Sequence, residues 1–392
     1  MNKIPQSLFC NLTLNRAHFK TLLAALTLTL ALIGFVGCQS SSPGNLPSPP
    51  DKPGDQTDGP AAAKSANEVS VMTFNVENMF DATHDEGTED YTYLPKSKKS
   101  DPAIQAYCKT ISNPGYREDC FSLDWSEAVV KFKLSQVAKV IRHVERGNGP
   151  DNILFSEVEN LSVLKRLFDT ELKDLGYQTF VLIEGFDTRG IDVGFASKFP
   201  IAKNMKPILH RIPFSDPKAS KSRGILEVTV ELPNKKLVTF MSAHFPSQAN
   251  PTGWRADAFE FVAGLMKKYE AEGRAVIFGG DLNTLKEEDE ESGYYSKVMS
   301  EVAHVTHLIG CKFCKGSHYY RGEWSFLDVM NFGKGLSFAN AELDLNSIDI
   351  VRAPVHLKSD GTPKRFNSEK MEGVGDHLPI YARIKILGKT AN

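Results

Sequence analysis

The chain has 392 residues, of which 41% are hydrophobic and 24% charged, and its formal net charge is −2. The apolar content excludes a wholly disordered protein, and the balanced charge excludes a protein that holds nucleic acid by bulk basic charge. The length suits one large domain preceded by a leader.

The N-terminus has the pattern of an export signal. Lys3, Arg16 and Lys20 precede an uncharged apolar stretch, Thr21–Gly37. This order of basic and apolar regions is typical of a signal peptide, which we assign to residues 1–37.

The apolar stretch ends in Phe35-Val36-Gly37-Cys38, which resembles a bacterial lipobox. The resemblance implies that Cys38 is lipidated and becomes the mature N-terminus. Phe35 stands where Leu is usual, so ordinary secretion and a retained membrane anchor stay open. The residue after the cysteine is Gln39 and not Asp. In this it resembles the lipoproteins of Gram-negative bacteria that are sorted to the outer membrane. We expect export to the outer membrane or periplasm of a Gram-negative-type bacterium, with the lipid anchor as the membrane contact.

Residues 38–66 are expected to form a disordered tether, because they are rich in Ser, Pro, Gly and Asp and have few large apolar side chains. The remaining residues, 67–388, form the expected catalytic domain. Removing residues 1–37 removes three basic and no acidic residues, which takes the formal charge from −2 to −5. A nuclease that releases its substrate quickly would then need local positive charge.

Strand-like and helix-like patterns alternate along this domain. Apolar stripes predict helices over 130–144, 161–175 and 259–269. Short apolar runs predict strands at 69–74, 152–155, 193–196, 225–232, 237–243, 275–278, 326–331 and 380–386. The segment from Asp85 to Trp125 is expected to be a long polar insertion beside the first catalytic loop. These elements predict an α/β fold in which two packed mixed β-sheets are flanked by helices, a four-layer sandwich.

Four cysteines remain when Cys10 in the signal segment and Cys38 are set aside. An even count in an exported protein predicts two disulfides, and the short spacings favour Cys108–Cys120 and Cys311–Cys314. A Cys₄ zinc site is the alternative, although only one Cys-x-x-Cys knuckle is present.

Two polar motifs carry the chemistry. Gly279-Gly280-Asp281-Leu282-Asn283 follows an apolar run, and Gly375-Asp376-His377-Leu378-Pro379 precedes another. Side chains at strand ends can converge across a sheet. Carboxylate and amide oxygens are ligands that Mg²⁺ accepts, and an imidazole titrates near neutral pH. Together they predict metal-assisted attack of water on a phosphate ester.

Two further strands end in polar residues, at Asn75 in Thr73-Phe74-Asn75 and at Glu157 in Phe155-Ser156-Glu157. With these four motifs in order, residues 68 to 388 resemble the endonuclease/exonuclease/phosphatase superfamily, which has the deoxyribonuclease I-like fold. The resemblance implies that Glu157, Asn75 and Asp376 bind Mg²⁺, with Mn²⁺ as an alternative. It also implies a catalytic set listed here: Asn75, His244, Asp281, Asn283, Asp328, Asp376 and His377.

Some assignments stay open. Asp328 in Phe326-Leu327-Asp328-Val329 is expected to orient His377, and Asp349 is its rival. His244 ends a strand where the superfamily carries His or Tyr, and would face the leaving group or bind phosphate. Whether Asp281 or His377 is the base is undecided. Arg189 and Arg223 are candidate phosphate contacts, with a surface role as the alternative.

Three functions compete. The first is an envelope-anchored nuclease whose partner is a nucleic acid substrate, and we expect it to act as a monomer without a protein partner. The second is a lipid-directed phosphodiesterase or phosphatase of the same fold, either sphingomyelinase-like or inositol-phosphate-directed. The third is a non-catalytic binding module. We expect the first, because the candidate loops 85–119 and 208–222 are polar, whereas an interfacial enzyme needs an exposed apolar loop. The loop 311–324 is the exception, since its aromatic residues Phe313, Tyr319, Tyr320 and Trp324 could stack on bases or lie at a membrane surface.

Overall fold

The computed structural model describes residues 59–311 and 314–388. The predicted signal peptide, Cys38 and most of the predicted tether lie outside the described residues. Within the described part of the chain, no helix combines the length and apolar content needed to cross a membrane.

Strands in the described residues are β1 Glu68–Met79, β2 Asn152–Val158, β3 Thr179–Leu182, β4 Asp192–Ser197, β5 Ile208–His210, β6 Ile225–Glu231, β7 Leu237–His244, β8 Ala275–Asp281, β9 Ala303–Val305, β10 His318–Tyr320, β11 Glu323–Ser325, β12 Asp328–Gly333, β13 Ala341–Ile350 and β14 Ile380–Ile386. Helices are α1 Pro102–Thr110, α2 Pro114–Ser122, α3 Glu127–Arg142, α4 Leu161–Arg166, α5 Thr252–Ala271, α6 Lys286–Ser292, α7 Ser300–Val302 and α8 Thr306–Ile309.

The strands form two mixed six-stranded sheets and a separate hairpin. The first sheet has the order β13-β14-β1-β2-β4-β3, and the second has the order β5-β6-β7-β8-β12-β9. In each sheet a central pair is parallel, β1 with β2 and β7 with β8, and the pairs around them are antiparallel. The strands β10 and β11 form a separate two-stranded sheet.

Successive side chains of each strand point to opposite faces of its sheet, and the apolar ones form three layers. In β1, Val71 faces the second sheet, whereas Met72 and Phe74 face the helices α3 and α4. Phe195 of the first sheet lies 5.2 Å from Phe240 of the second, measured between ring centroids. On the far side, α5 packs its apolar residues against β7 and β8. The predicted four-layer α/β sandwich is therefore confirmed.

Several elements differ from the sequence-based expectation. The predicted helix over 161–175 is interrupted: α4 continues as a π-helical turn at Leu167–Glu171 and a 3₁₀ turn at Lys173–Leu175. Strands β3, β5, β9, β10, β11 and β13 were not predicted. The longest of them, β13, is an acidic edge strand with a bulge between Asp344 and Asp349, so it lacks the apolar run that identifies a strand.

The polar segment after β1 is more ordered than expected. Asp101 accepts a hydrogen bond from the Ala103 N–H and begins α1, and Asn113 accepts one from the Gly115 N–H and begins α2. Each cap is followed by a proline, a start signal that was readable in the sequence. A disulfide joins Cys108 to Cys120 between these helices.

The second predicted disulfide, Cys311–Cys314, is also formed. The Cys311 and Cys314 pair lies just before the β10–β11 hairpin. Both predicted pairings are thus present, and the Cys₄ zinc alternative is wrong.

Candidate active site

The two sheets bring residues of five strands to one edge of the sandwich. Asp281 at the end of β8 lies opposite His244 of β7 and opposite Asp328 of β12. Asn75 of β1 and Glu157 of β2 come from the other sheet. This convergence follows from register, because parallel neighbours end on the same side of a sheet.

Asn75 links the two sheets at this edge. Its Nδ2 donates to Glu157 Oε1 and to Asp281 Oδ2, each at 3.0 Å. Its Oδ1 accepts the Glu77 N–H at 3.0 Å. The geometry therefore gives Asn75 a positioning role between the two carboxyl groups, and its predicted metal ligation stays a prediction.

Strained backbone supports Glu157. Its φ of 64° lies in the left-handed region, which a residue with a Cβ adopts at an energetic cost. Its Oε2 accepts the N–H of Asn78, which is left-handed too, at 3.0 Å. Beside Asp281, a Cβ on Gly280 would lie 1.8 Å from the Ala243 carbonyl oxygen, so only glycine fits there. Such strain is typical of functional sites.

Asp328 orients His377. Its Oδ2 lies 2.6 Å from His377 Nδ1, and its side chain is buried. The rival, Asp349, instead accepts hydrogen bonds from Arg352 and from its neighbour's backbone. Burial opposes a charged imidazole, but the carboxylates of Asp328 and Asp281 outweigh it and raise the pKa of His377 well above its ordinary value.

Asp281 is buried close to both histidines. Its Oδ1 accepts the Asn283 N–H at 2.9 Å, and its Oδ2 lies 3.5 Å from His244 Nε2 and 3.9 Å from His377 Nε2. Burial raises its pKa to about 7, and the carboxylates of Asp328 and Glu157 add to the rise whereas His377 opposes it. Asp281 is therefore a carboxyl group that exchanges a proton near neutral pH.

His244 is buried between the carboxylates and the arginines. Its Nε2 also lies 3.9 Å from Glu157 Oε1, and its Nδ1 has no hydrogen-bond partner among the described residues. Burial, followed by the charges of Arg223, Arg189 and His377, lowers the pKa of His244 well below its ordinary value. The imidazole is therefore neutral in this environment.

Arg189 and Arg223 meet at Asp187, which was not predicted. Asp187 Oδ2 accepts from both guanidiniums at 2.8 Å. Burial would raise the pKa of Asp187, but the two guanidiniums lower it to about 2. Arg223 is buried and its Nε is unpartnered among the described residues, whereas 54% of the Arg189 side chain is exposed. The two arginines thus share one buried counter-ion beside His244.

The remaining predicted residues lie at the rim. Asn283 donates its Nδ2 to the Phe245 carbonyl at 3.2 Å and has a left-handed backbone. Asp376 is partly exposed, with Oδ1 3.9 Å from His377 Nε2 and Oδ2 3.3 Å from Arg365. Burial would raise the pKa of Asp376, but His377 and Arg365 lower it.

Sequence reasoning missed three residues around Asp376, which are Glu77, Arg365 and Lys133. Arg365 donates to Glu77 Oε1, and the buried Lys133 donates to the Val374 carbonyl at 2.6 Å. They fasten the segment before Asp376 to β1 through Glu77 and to α3 through Lys133. Only Glu77 carried a signal, since it follows Asn75 by two residues.

Among the described residues, three groups bring possible metal ligands together: Glu157, His244 and Asp281; His318, Asp376 and His377; and Cys311, Cys314 and Asp349. The third group contains both cysteines of the Cys311–Cys314 disulfide. The first combines two carboxylates that share Asn75 as donor. Two carboxyl groups and one imidazole form a donor set that fits a divalent cation.

Residues 103–386 match the model of a family described as "Endonuclease/Exonuclease/phosphatase family". No curated protein gave a significant match.

Similar solved structures include an endonuclease/exonuclease/phosphatase from Beutenbergia cavernae DSM 12333, with 14% identity and a TM-score of 0.49 over 82% of this chain and 72% of that chain. Truncated Caenorhabditis elegans TDP2 has 15% identity and a TM-score of 0.48 over 81% and 97% of the two chains. An endonuclease/exonuclease/phosphatase from Bacteroides vulgatus has 13% identity and a TM-score of 0.47 over 81% and 99%.

Proposed function

The chain belongs to the endonuclease/exonuclease/phosphatase family, whose members are generally phosphoric ester hydrolases, and from this premise we propose that it is an exported, Mg²⁺-dependent nuclease. The observation that carries the proposal is the Asn75 bridge. It holds a candidate metal carboxylate, Glu157, and a candidate base, Asp281, on one side-chain amide. Hydrolysis of a phosphodiester needs both groups within reach of one phosphate.

Glu157 is the residue best placed to hold the cation, with Asp281 beside it. Its carboxylate is fixed by Asn75 and by the Asn78 N–H, and 18% of its side chain is exposed toward solvent. A bound Mg²⁺ would neutralise phosphate charge and polarise the phosphorus centre. Mn²⁺ would suit the same oxygen donors.

The charges favour Asp281 as the group that takes the proton from water. Its pKa of about 7 lets it accept a proton at neutral pH, whereas His377 is held in its cationic form by Asp328 and Asp281. Cationic His377 would instead donate from Nε2 to a phosphate oxygen and stabilise charge that develops in the transition state.

Because His244 is neutral, it is better suited to donate a hydrogen bond than to transfer a proton as a general acid. Because its pKa is lowered, it carries no spare proton near neutral pH. We assign it to a hydrogen bond toward a phosphate or leaving-group oxygen, next to Arg223. Asn283 would hold a further phosphate oxygen through its amide.

The exposed side chains around the opening of the site favour an anionic, polymeric substrate. Arg189 and Arg365 have largely exposed side chains, 54% and 66%, and their guanidiniums pair with Asp187 and Glu77. Exposed aliphatic residues such as Ile309 and Leu345 instead line a groove with Gly333, at the end of β12 away from Asp328. A nucleic acid strand fits this distribution better than a lipid interface does.

Export and lipidation at Cys38 are part of the proposal and rest on the sequence pattern of residues 1–38. Disulfides Cys108–Cys120 and Cys311–Cys314 support an oxidising compartment. We propose a monomeric enzyme anchored by lipid, acting on nucleic acid outside the cytoplasm.

A substrate panel tests this function. The purified protein with Mg²⁺ is incubated with plasmid DNA, single-stranded RNA, sphingomyelin vesicles and inositol phosphates, with the Glu157→Gln variant as the blank. Cleavage of DNA or RNA at catalytic enzyme levels supports the nuclease. Release of choline phosphate or inorganic phosphate while nucleic acid stays intact would replace it with the lipid-directed or inositol-phosphate-directed function.

A further inference from the structure

A third histidine, His318, lies against the candidate catalytic His377. It begins strand β10, and its backbone forms an isolated antiparallel bridge with His377. The two ring centroids are 4.7 Å apart. His318 therefore faces the same mouth as the hydrolytic site, although no step of the proposed hydrolysis uses it.

The hairpin that carries His318 is fixed by one serine. Ser317 Oγ accepts the Asp328 N–H at 3.0 Å, and the Ser317 carbonyl accepts the Leu378 N–H at 2.7 Å. These contacts tie the start of the hairpin to Asp328 and to the residue that follows His377. The position of His318 relative to His377 is thus determined by hydrogen bonds on both sides.

The free ring nitrogen of His377 faces Asp376. Nδ1 is taken by Asp328, which leaves Nε2, and Asp376 Oδ1 lies 3.9 Å from it. Arg365 contacts the other carboxylate oxygen, Oδ2, so Oδ1 remains directed toward His377. One ligand atom from each of His318, Asp376 and His377 lies within 4.8 Å of the others.

We propose that His318, Asp376 and His377 form a binding site for a transition-metal ion such as Zn²⁺. This assigns Asp376 to a site other than the Mg²⁺ site that the resemblance implied, because its ligand oxygen groups with the two histidines and Glu157 groups with His244 and Asp281. Two imidazoles and one carboxylate suit Zn²⁺, whereas Mg²⁺ prefers oxygen donors. The Asp328–His377 hydrogen bond matches the carboxylate–histidine arrangement that fixes and strengthens imidazole ligands of zinc.

The site has a functional consequence that rests on the proposed hydrolysis. An ion held at His377 Nε2 removes the hydrogen-bond donor that this nitrogen would offer to the phosphate. Zn²⁺ is then an inhibitor that does not need to displace the ion at Glu157. The metal site itself does not depend on the enzyme being a nuclease.

Binding is measured first, without any substrate. The full chain is freed of metal by chelator and dialysis, kept in excess Mg²⁺, and titrated with Co²⁺ while visible absorption is recorded, and with Zn²⁺ by calorimetry. We expect one equivalent to bind with the absorption of a nitrogen-ligated, low-coordinate site. His318→Gln should weaken binding by about 10- to 100-fold or more, since even an indirect partner of a metal ligand has that effect.

Three variants make the result specific. Asp376→Asn should also lose the Co²⁺ absorption, and serves as the second ligand variant if His318→Gln unfolds. His304→Gln, an exposed histidine on β9, and Glu157→Gln, which alters the other carboxylate site, should both keep it. Unchanged Zn²⁺ and Co²⁺ binding in folded His318→Gln, or loss of the absorption in Glu157→Gln, would overturn the proposed site.

Inhibition is measured second, as the ratio of activities with and without Zn²⁺ in each variant. The concentration of Zn²⁺ that halves activity should rise at least about tenfold in His318→Gln and stay unchanged in His304→Gln. Equal inhibition of wild type and His318→Gln would remove the inhibitory role. If no phosphodiester is cleaved by any form while His318-dependent binding persists, the proposed function fails and the metal site stands.

Discussion

The side-chain amide of Asn75 lies 3.0 Å from Asp281, 206 residues further along the chain, and 3.0 Å from Glu157. This single amide joins the two sheets at the candidate active site and sets the distance between two acidic groups. Because both acceptors are carboxyl oxygens, each hydrogen bond is stronger than a neutral one when its acceptor is ionised. Asn75 is therefore the residue through which the fold determines the geometry of the site.

Replacing Asn75 with Ala should impair activity with little effect on the fold. Without the amide, Glu157 and Asp281 lose a shared donor and repel each other, so we expect hydrolysis to fall by about 10- to 100-fold, with a higher Mg²⁺ requirement. Turnover measured against Mg²⁺ concentration checks this. Asn75→Asp should be worse, because it adds a third carboxylate. A variant with normal turnover and normal Mg²⁺ dependence would show that the bridge is dispensable.

The histidines should differ in their effects. His377→Ala and His244→Ala each remove a group beside Asp281, and loss of such a group typically costs ~10²- to 10⁴-fold in rate. His304→Ala, on an exposed position of β9, should leave the rate near wild type. If His244→Ala kept near-normal turnover, its role would be structural.

The sequence predicted the parts of the site that follow from strand ends. Asp281 follows an apolar run, so its place at a strand end could be inferred, whereas the pairing of Asp328 with His377 was implied by the family resemblance. Asp187, Arg365 and His318 could not be inferred, because each acts through a partner on a distant segment: Arg223, Glu77 and His377 respectively. No local pattern encodes such contacts.

The strands of the fold were also predicted only in part. Strands with apolar runs, such as β8 and β14, were predicted within a few residues. The acidic edge strand β13 was not, because its pairing with β14 is stabilised by neighbours and not by its own composition. The left-handed backbone of Glu157 is likewise a product of the surrounding contacts.

Acid stability should depend on Glu227, a buried carboxylate on β6. Burial would raise its pKa, but hydrogen bonds from His210, Tyr269 and Arg274 lower it from 4.5 to about 2. Because the unfolded chain binds this proton more readily, the stabilisation is complete above pH 4.5 and is lost as the pH falls through about 2.

Glu227→Gln tests this by urea unfolding. The variant should be less stable than wild type at pH 7 by about 1–3 kcal/mol, and the difference should shrink between pH 4.5 and 2. Glu231→Gln on the same strand, where the carboxylate pairs with exposed Lys235, is the control and should change little at either pH. A difference that is constant with pH would contradict the lowered pKa.

The proposed lipid anchor is tested at Cys38. Cys38→Ser should block lipidation, and leave either an unprocessed precursor in the membrane or a soluble product. Mass spectrometry of the mature N-terminus checks the wild type directly. A mature chain without diacylglycerol on Cys38 would contradict the lipoprotein assignment and favour ordinary secretion.

The most direct test of metal-dependent hydrolysis is cleavage of plasmid DNA before and after removal of metal, by wild type and by Glu157→Gln. The carboxylate of Glu157 is the main expected anchor of the ion, and Gln keeps its shape but not its charge. We predict that EDTA treatment and dialysis abolish wild-type cleavage, that Mg²⁺ restores it, and that folded Glu157→Gln stays inactive at Mg²⁺ levels that saturate the wild type. Full cleavage by the metal-free protein, or by Glu157→Gln, would contradict the account.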